Sequence, residues 1–245
     1  MTMARRFRFF VSPDQLKADN PRLEAEELHH ALHVARVRTG EEVEVFDGHG
    51  RIAACEVLKA GKRDLLLQVT RRREEPRPAR ELTLVVAYPN RERTVERIVE
   101  SGVPLGVSRF VFFASTYSDR APELSDKWER WGRESCKQSF RSWVPEFAVA
   151  CGLESALPRE KTTPMLLLTP DGPDDWYRGG ILGAPSCICI VGPEGGLSDA
   201  EVKGASAYGA IPVGLGEYVL RTELACATIA AIVTHTWRCH THAGC

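Results

Sequence analysis

CICIVGPEGGLSDAEV, residues 187–202, decides the fold. It opens on a run of apolar residues (Cys187–Val191) and turns through Gly192, Gly195 and Gly196. It then enters SDAE (Ser198–Glu201), a capping box in which a serine caps a helix and a glutamate three residues on reaches back. Strand, glycine turn and helix N-terminus form one α/β unit. A strand with no polar alternation is buried on both faces, as in a parallel sheet covered by helices. The same pattern recurs at LTLVVA (Leu82–Ala87), RFVFFA (Arg109–Ala114), MLLLT (Met165–Thr169) and IPVGL (Ile211–Leu215), with helical stretches between or after them. Ligands of such sheets bind beyond the C-terminal strand ends, where this glycine turn lies.

The turn does not have the chemistry of a phosphate loop. A dinucleotide fingerprint needs G-x-G-x-x-G and a P-loop needs Gly-Lys-Ser/Thr, whereas the chain reads G-P-E-G-G with no lysine. Glu194 would repel a phosphate at close range. A second signal follows in GLGEYVLRTELACATIAAIV (Gly214–Val233). Gly214 and Gly216 let backbone approach a ligand closely, Thr222 can cap the final helix, and Arg221 and Glu223 stand at its start. The helix is rich in alanine (Ala225, Ala227, Ala230, Ala231), which permits close packing.

Upstream of residue 74 the pattern changes. LEAEELHHALHVARVRTG (Leu23–Gly40) reads as a helix with Leu28, Ala31, Leu32 and Ala35 on one face, ended by Gly40. EVEVF (Glu42–Phe46), RIAACEV (Arg51–Val57) and DLLLQV (Asp64–Val69) read as strands, the first two joined by the turn DGHG (Asp47–Gly50). RRREEPRPAR (Arg71–Arg80) is charged, carries two prolines and has no apolar face, so it reads as a linker. The expected division is therefore 1–73, a linker at 74–80, and 81–245.

With 245 residues the chain can build a sizeable core, and a formal net charge of −1 gives no global field toward nucleic acid. RNA or DNA contacts must use local patches. No apolar run is long enough to span a bilayer and MTMARRFRFF lacks a signal-peptide core, so a cytoplasmic location is expected. The eight cysteines have no disulfide-framework spacing and read as free thiols.

GPEGGLSDAEV followed by LGEYVLRTELA resembles the paired signature of the SPOUT methyltransferases, most closely the RsmE type, which methylates N3 of uridine in 16S ribosomal RNA. RFFV (Arg8–Val11), HHALHVARVRTGEEVEVFDGHG (His29–Gly50) and KQSFRSWVPEF (Lys137–Phe147) resemble that family in the same order. The resemblance implies a PUA-like small β-barrel domain for RNA binding, then an α/β parallel-sheet domain with a trefoil knot. It also implies S-adenosylmethionine as cofactor, a homodimer whose two subunits build each site, and 16S ribosomal RNA or the small ribosomal subunit as partner, with no metal. By matching position the cofactor residues are Leu168, Thr169, Pro170, Gly192, Pro193, Glu194, Gly195, Gly196, Leu215, Gly216, Tyr218, Val219, Leu220 and Arg221.

Methylation at N3 needs the uridine proton removed and charge on the uracil oxygens stabilised. Glu223 is the candidate base or orienting group and Arg221 the candidate electrostatic stabiliser; the plainer alternative is that Glu223 only favours the helix N-terminus and Arg221 only pairs with it. Candidate RNA contacts are Arg5, Arg6 and Arg8, Arg36 and Arg38, and Arg141. Other expectations are a ribose 2′-hydroxyl target or an RNA-binding relative without catalysis. These stay open because the chain departs from the family at Ser101, Pro104, Thr116 and Tyr117, near the expected RNA side; Leu224, in place of a usual threonine, bears on packing. His29 and His33, one turn apart, lack a third metal ligand, and CHTHAGC (Cys239–Cys245) lacks paired zinc spacings. Trp128 and Trp131 could stack a base but read as helix packing.

Overall fold

The computed structural model describes residues 7–159, 162–173 and 180–242. It divides into two compact units: residues up to Arg77 together with Cys136–Val144, and Pro78–Ser135 together with Pro145 onward.

In the first unit, β1 (Phe7–Phe10), α1 (Pro13–Lys17), β2 (Arg22–Leu23), α2 (Ala25–His29), β3 (Glu42–Phe46), β4 (Arg51–Ala60) and β5 (Leu65–Glu74) follow one another. The strands form one sheet in the order β1-β3-β4-β5-β2, antiparallel except for β1 beside β3. Phe9, Val43, Val45, Ala53, Val57, Leu65 and Leu67 line a core closed by Leu16, Leu28 and Ala31. The helix expected to run to Gly40 stops earlier. After α2 the chain makes a π-helical turn (His30–Ala35) and leaves it at Arg36, whose left-handed φ of 56° breaks the ladder.

The run expected to be a linker is partly strand: Arg71–Glu74 pair with Arg51–Ala54. Local composition hid this because the strand end is solvated and held by backbone pairing rather than by an apolar face.

The segment KQSFRSWV, expected in the second domain, belongs to the first unit. Val144 N donates to Gly48 O (3.0 Å) and Gly50 N to Ser142 O (2.9 Å), so the segment seals the DGHG turn. Gly50 has φ +87°, and a Cβ there would stand 2.5 Å from Glu75 O and 2.7 Å from the Trp143 ring, which leaves room only for glycine.

Arg8 is corrected by this arrangement. Its side chain is 1% exposed, with Nε 3.0 Å from Glu44 Oε1. Its Nη2 donates to Ser142 Oγ at 2.8 Å and the guanidinium lies 4.3 Å from the Phe46 ring centroid. Burial pulls its pKa down, opposed by the Glu44 carboxylate. Such an arginine is a structural tie and offers nothing to RNA. Arg8→Ala leaves the Glu44 carboxylate buried with only Arg73 beside it, at 3.1 Å, and is expected to cost about 3–5 kcal/mol in a denaturant melt. The paired change Arg8→Met with Glu44→Leu should cost much less, because no charge is then left buried.

The second unit carries β6 (Glu81–Ala87), α3 (Glu92–Gly102), β7 (Val107–Phe113), α4 (Asp126–Ser139, whose last residues join the first unit), β8 (Glu146–Ala150) and α5 (Leu153–Ala156). Then come β9 (Met165–Leu168), β10 (Ser186–Val191), α6 (Asp199–Ala207), β11 (Ile211–Val213) and α7 (Thr222–His242). The sheet is parallel throughout, in the order β11-β9-β10-β6-β7-β8. One face packs Val85, Val111, Leu167 and Ile190 against α5 and α6. Leu84, Val86, Phe110 and Phe112 alternate to the other face with α3, α4 and α7. Trp128 (1% exposed) lies 4.8 Å from Phe112, centroid to centroid, and Trp131 is also buried, so both serve packing as expected. Among the described residues no helix is long and apolar enough to cross a membrane.

Candidate active site

β11, β9 and β10 are sheet neighbours running the same way, so Val213, Leu168 and Val191 end at one edge and release three loops side by side. Backbone bonds stitch the loops together. Thr169 N donates to Val213 O (3.0 Å), Gly214 N to Pro173 O (2.9 Å) and Gly196 N to Pro193 O (2.9 Å). Thr222 Oγ1 donates to Gly192 O at 3.3 Å, tying the glycine turn to the start of α7.

Between the loops lies a cavity of about 360 Å³. That is within the range of small-molecule sites. Every expected cofactor residue lines it except Gly195 and Arg221, and Val191, Leu197, Val202, Val213, Thr222 and Ala225 line it as well. Leu197, Val202, Thr222 and Ala225 lie inside the two quoted motifs, whereas Val191 and Val213 are the strand-end residues that precede the loops. The walls are mainly aliphatic, with backbone polar groups between them, and Glu194 is the charged side chain in the lining. At Gly192 a Cβ would stand 3.1 Å from Leu197 Cγ and 3.3 Å from Gly196 C, so the turn is folded tightly on itself. Such walls suit an uncharged ring system, and Glu194 places a carboxylate-bearing residue at the lining.

Arg221, immediately before α7, and Glu223, on its first turn, flank the cavity without lining it. Glu223 stands in the first turn of α7, as the plainer alternative has it, but its ion pair is not with Arg221. Glu223 Oε1 lies 3.4 Å from Arg97 Nη1 on α3, and its side chain is 18% exposed. Arg221 is exposed. Arg97 is a site residue that sequence reasoning missed, since 126 positions separate it from its partner. Ser101, where the family resemblance leads one to expect a lysine nearby, bonds back to Arg97 O at 2.7 Å within its own helix.

The SDAE box forms as expected: Ser198 N donates to Glu201 Oε2 (2.8 Å) and Glu201 N to Ser198 Oγ (3.4 Å). The box also holds a neighbouring loop. Thr116 N donates to Glu201 Oε1 (2.9 Å), and the Thr116 and Ser198 hydroxyls are 3.1 Å apart. Burial would raise the Glu201 carboxyl, but the bonds from Ser198 and Thr116 outweigh it and hold the pKa below its usual value.

Of the arginines expected at RNA, Arg36 and Arg38 are exposed and Arg141 is half-buried. Burial pulls the Arg141 pKa down, opposed by Cys136. Arg5 and Arg6 lie outside the described residues, as do the last residues of the cysteine- and histidine-containing tail. The His29 and His33 rings lie 4.7 Å apart, centroid to centroid, tilted by 41°, and among the described residues no cluster of side chains suits a metal ion.

A cavity at three adjacent strand ends of a parallel sheet is where α/β proteins of this class bind a small ligand. Comparison with known proteins makes this specific. Residues 75–234 match the model of the RNA methyltransferase domain, and residues 23–70 match that of the RNA methyltransferase PUA domain. A relative from Aquifex aeolicus named ribosomal RNA small subunit methyltransferase E is 30% identical over 209 residues, covering 82% of this chain and 88% of its own. One of the same name from Mycobacterium bovis is 28% identical over 229 residues, covering 88% and 87%. The crystal structure of a probable rRNA-methyltransferase from Porphyromonas gingivalis superposes with a TM-score of 0.83 at 27% identity, covering 96% of this chain and 99% of its own. A ribosomal RNA small subunit methyltransferase E from Neisseria gonorrhoeae, bound to S-adenosyl methionine, shares the fold with a TM-score of 0.81 at 23% identity, covering 95% and 98%. The chain belongs to the RNA methyltransferase family whose curated members are named ribosomal RNA small subunit methyltransferase E.

Proposed function

We propose that this protein transfers the methyl group of S-adenosylmethionine to N3 of a uridine in 16S ribosomal RNA, acting as a homodimer in the cytoplasm. The observation that carries the reading is the cavity, in which three loops named from sequence converge on walls suited to the cofactor. S-adenosylmethionine supplies an electrophilic methyl group on a cationic sulfur. The aliphatic walls and loop backbone would take the adenine and ribose, and Glu194 favours the cationic end. Glu223 would take the N3 proton or hold the group that does, and Arg221 would oppose the charge left on the uracil oxygens. Tyr218 and Val219, which line the cavity, are 80% and 79% exposed, and Leu224 is 52% exposed. An apolar surface of this kind beside a site suits cover by a second copy. Arg36 and Arg38 remain the exposed candidates for RNA phosphates. The knot implied by the family fits the path of the chain, which adds β11 at the sheet edge and returns as α7 against β10, β6 and α3.

Calorimetric titration tests the cofactor assignment. Saturable binding of S-adenosylmethionine, weakened by Glu194→Lys, is expected. A flat titration contradicts the reading.

A further inference from the structure

We propose that Tyr117 is a base-stacking residue of the RNA site, presented beside the methyl-donor cavity by the Thr116–Glu201–Ser198 latch. The proposal rests on the methyl-transfer reading above.

A uridine methylated at N3 must leave its stack and pair, because N3 lies on the pairing edge. Its faces then need a new partner, and proteins that hold unstacked bases supply aromatic side chains for this. Tyr117 is 55% exposed. It stands against the glycine turn: a Cβ built on Gly195 would be 3.8 Å from Tyr117 Cβ, in ordinary contact. Gly195 lies between the cavity-lining Glu194 and Gly196, whereas Tyr117 is outside the lining. The base of the Tyr117 side chain therefore stands beside the glycine turn of the cofactor cavity, outside its lining. Tyr218, the more exposed tyrosine, is in the lining itself and so belongs to the cofactor side.

The backbone beneath Tyr117 is fixed on both sides. Thr116 is held by Glu201 and Ser198. Ser118 N donates to Ser115 O (3.1 Å), Ser115 N to Ser118 Oγ (3.1 Å), and Ser118 Oγ to Tyr88 O (3.3 Å). Asp119 N donates to Asn90 Oδ1 at 3.2 Å. An exposed aromatic ring has no packing role that would call for such a support. A ring presented on a pre-ordered turn loses little further freedom when a base stacks on it. The same latch links the loop to the capping box that follows the glycine turn, so the ring and the cofactor loop keep a common frame.

The test uses full-length protein and 16S ribosomal RNA from cells lacking the gene, with filter binding and methyl-transfer kinetics. Tyr117→Ala is expected to raise the RNA Kd and KM about five- to a hundredfold, the range of one lost base stack. S-adenosylmethionine affinity and the melting temperature should not change. Tyr117→Phe, which keeps the ring, should stay within about twofold of wild type, since stacking needs only the π-face. The proposal is overturned by Tyr117→Ala binding RNA like wild type, by Tyr117→Phe failing as badly as alanine, or by a loss confined to cofactor binding. Wild-type protein that neither binds S-adenosylmethionine nor methylates the RNA refutes the function proposed above instead.

Discussion

Glu223→Gln is expected to lower the single-turnover rate of methyl transfer roughly a hundred- to ten-thousandfold, the range for loss of a general base, with S-adenosylmethionine affinity little changed. The expectation follows from where the carboxylate sits. It is on the first turn of α7, immediately after Thr222, which anchors that turn to Gly192. Glutamine keeps the shape and one oxygen acceptor toward Arg97 but has no basic carboxylate to take the uridine proton. The Arg97 pair separates the two roles open to Glu223. If Glu223 only orients Arg97, Arg97→Met should reproduce the whole loss. If Glu223 is the base, Arg97→Met should cost less than about tenfold, because a half-exposed ion pair at 3.4 Å is weak. An unchanged rate for Glu223→Gln removes the residue from the mechanism.

Gly172→Ala is expected to be the most damaging single methyl group added to this domain. The new Cβ would lie 2.4 Å from Val213 C and 2.7 Å from both Gly214 N and Thr169 Oγ1. Two of those neighbours are backbone atoms that cannot rotate away. The bonds from Thr169 N to Val213 O and from Gly214 N to Pro173 O close this same junction. Forcing the loops apart should cost about 1–3 kcal/mol or more and open the cavity wall, so thermal stability and S-adenosylmethionine affinity fall together. Gly204→Ala is the control. It lies within α6 with nothing within 4 Å of its Cβ position, and alanine there should stabilise the protein by about 1 kcal/mol. A Gly172→Ala protein that melts and binds like wild type contradicts this account of the junction.

These cases show what the sequence could and could not disclose. The central strands of the parallel sheet were legible because burial on both faces writes itself as an apolar run. The Ser198 box was legible because its partners are three residues apart. β8, the edge strand EFAVA, was not, since an edge strand needs no apolar run. Arg8 read as a surface cation because Glu44 and Ser142, which bury it, are far away in the chain. Arg36 gave no sign that it would end a helix with a left-handed turn, a position glycine usually signals. The cavity loops were named from paired motifs, but Arg97 and the Thr116–Glu201 bond join segments that only folding brings together.

Nucleoside mass spectrometry of 16S ribosomal RNA, from cells with the gene deleted and restored, tests the central claim most directly. The account predicts that 3-methyluridine disappears on deletion and returns with the wild-type gene but not with Glu223→Gln. Persistence of 3-methyluridine in the deletion strain would contradict it.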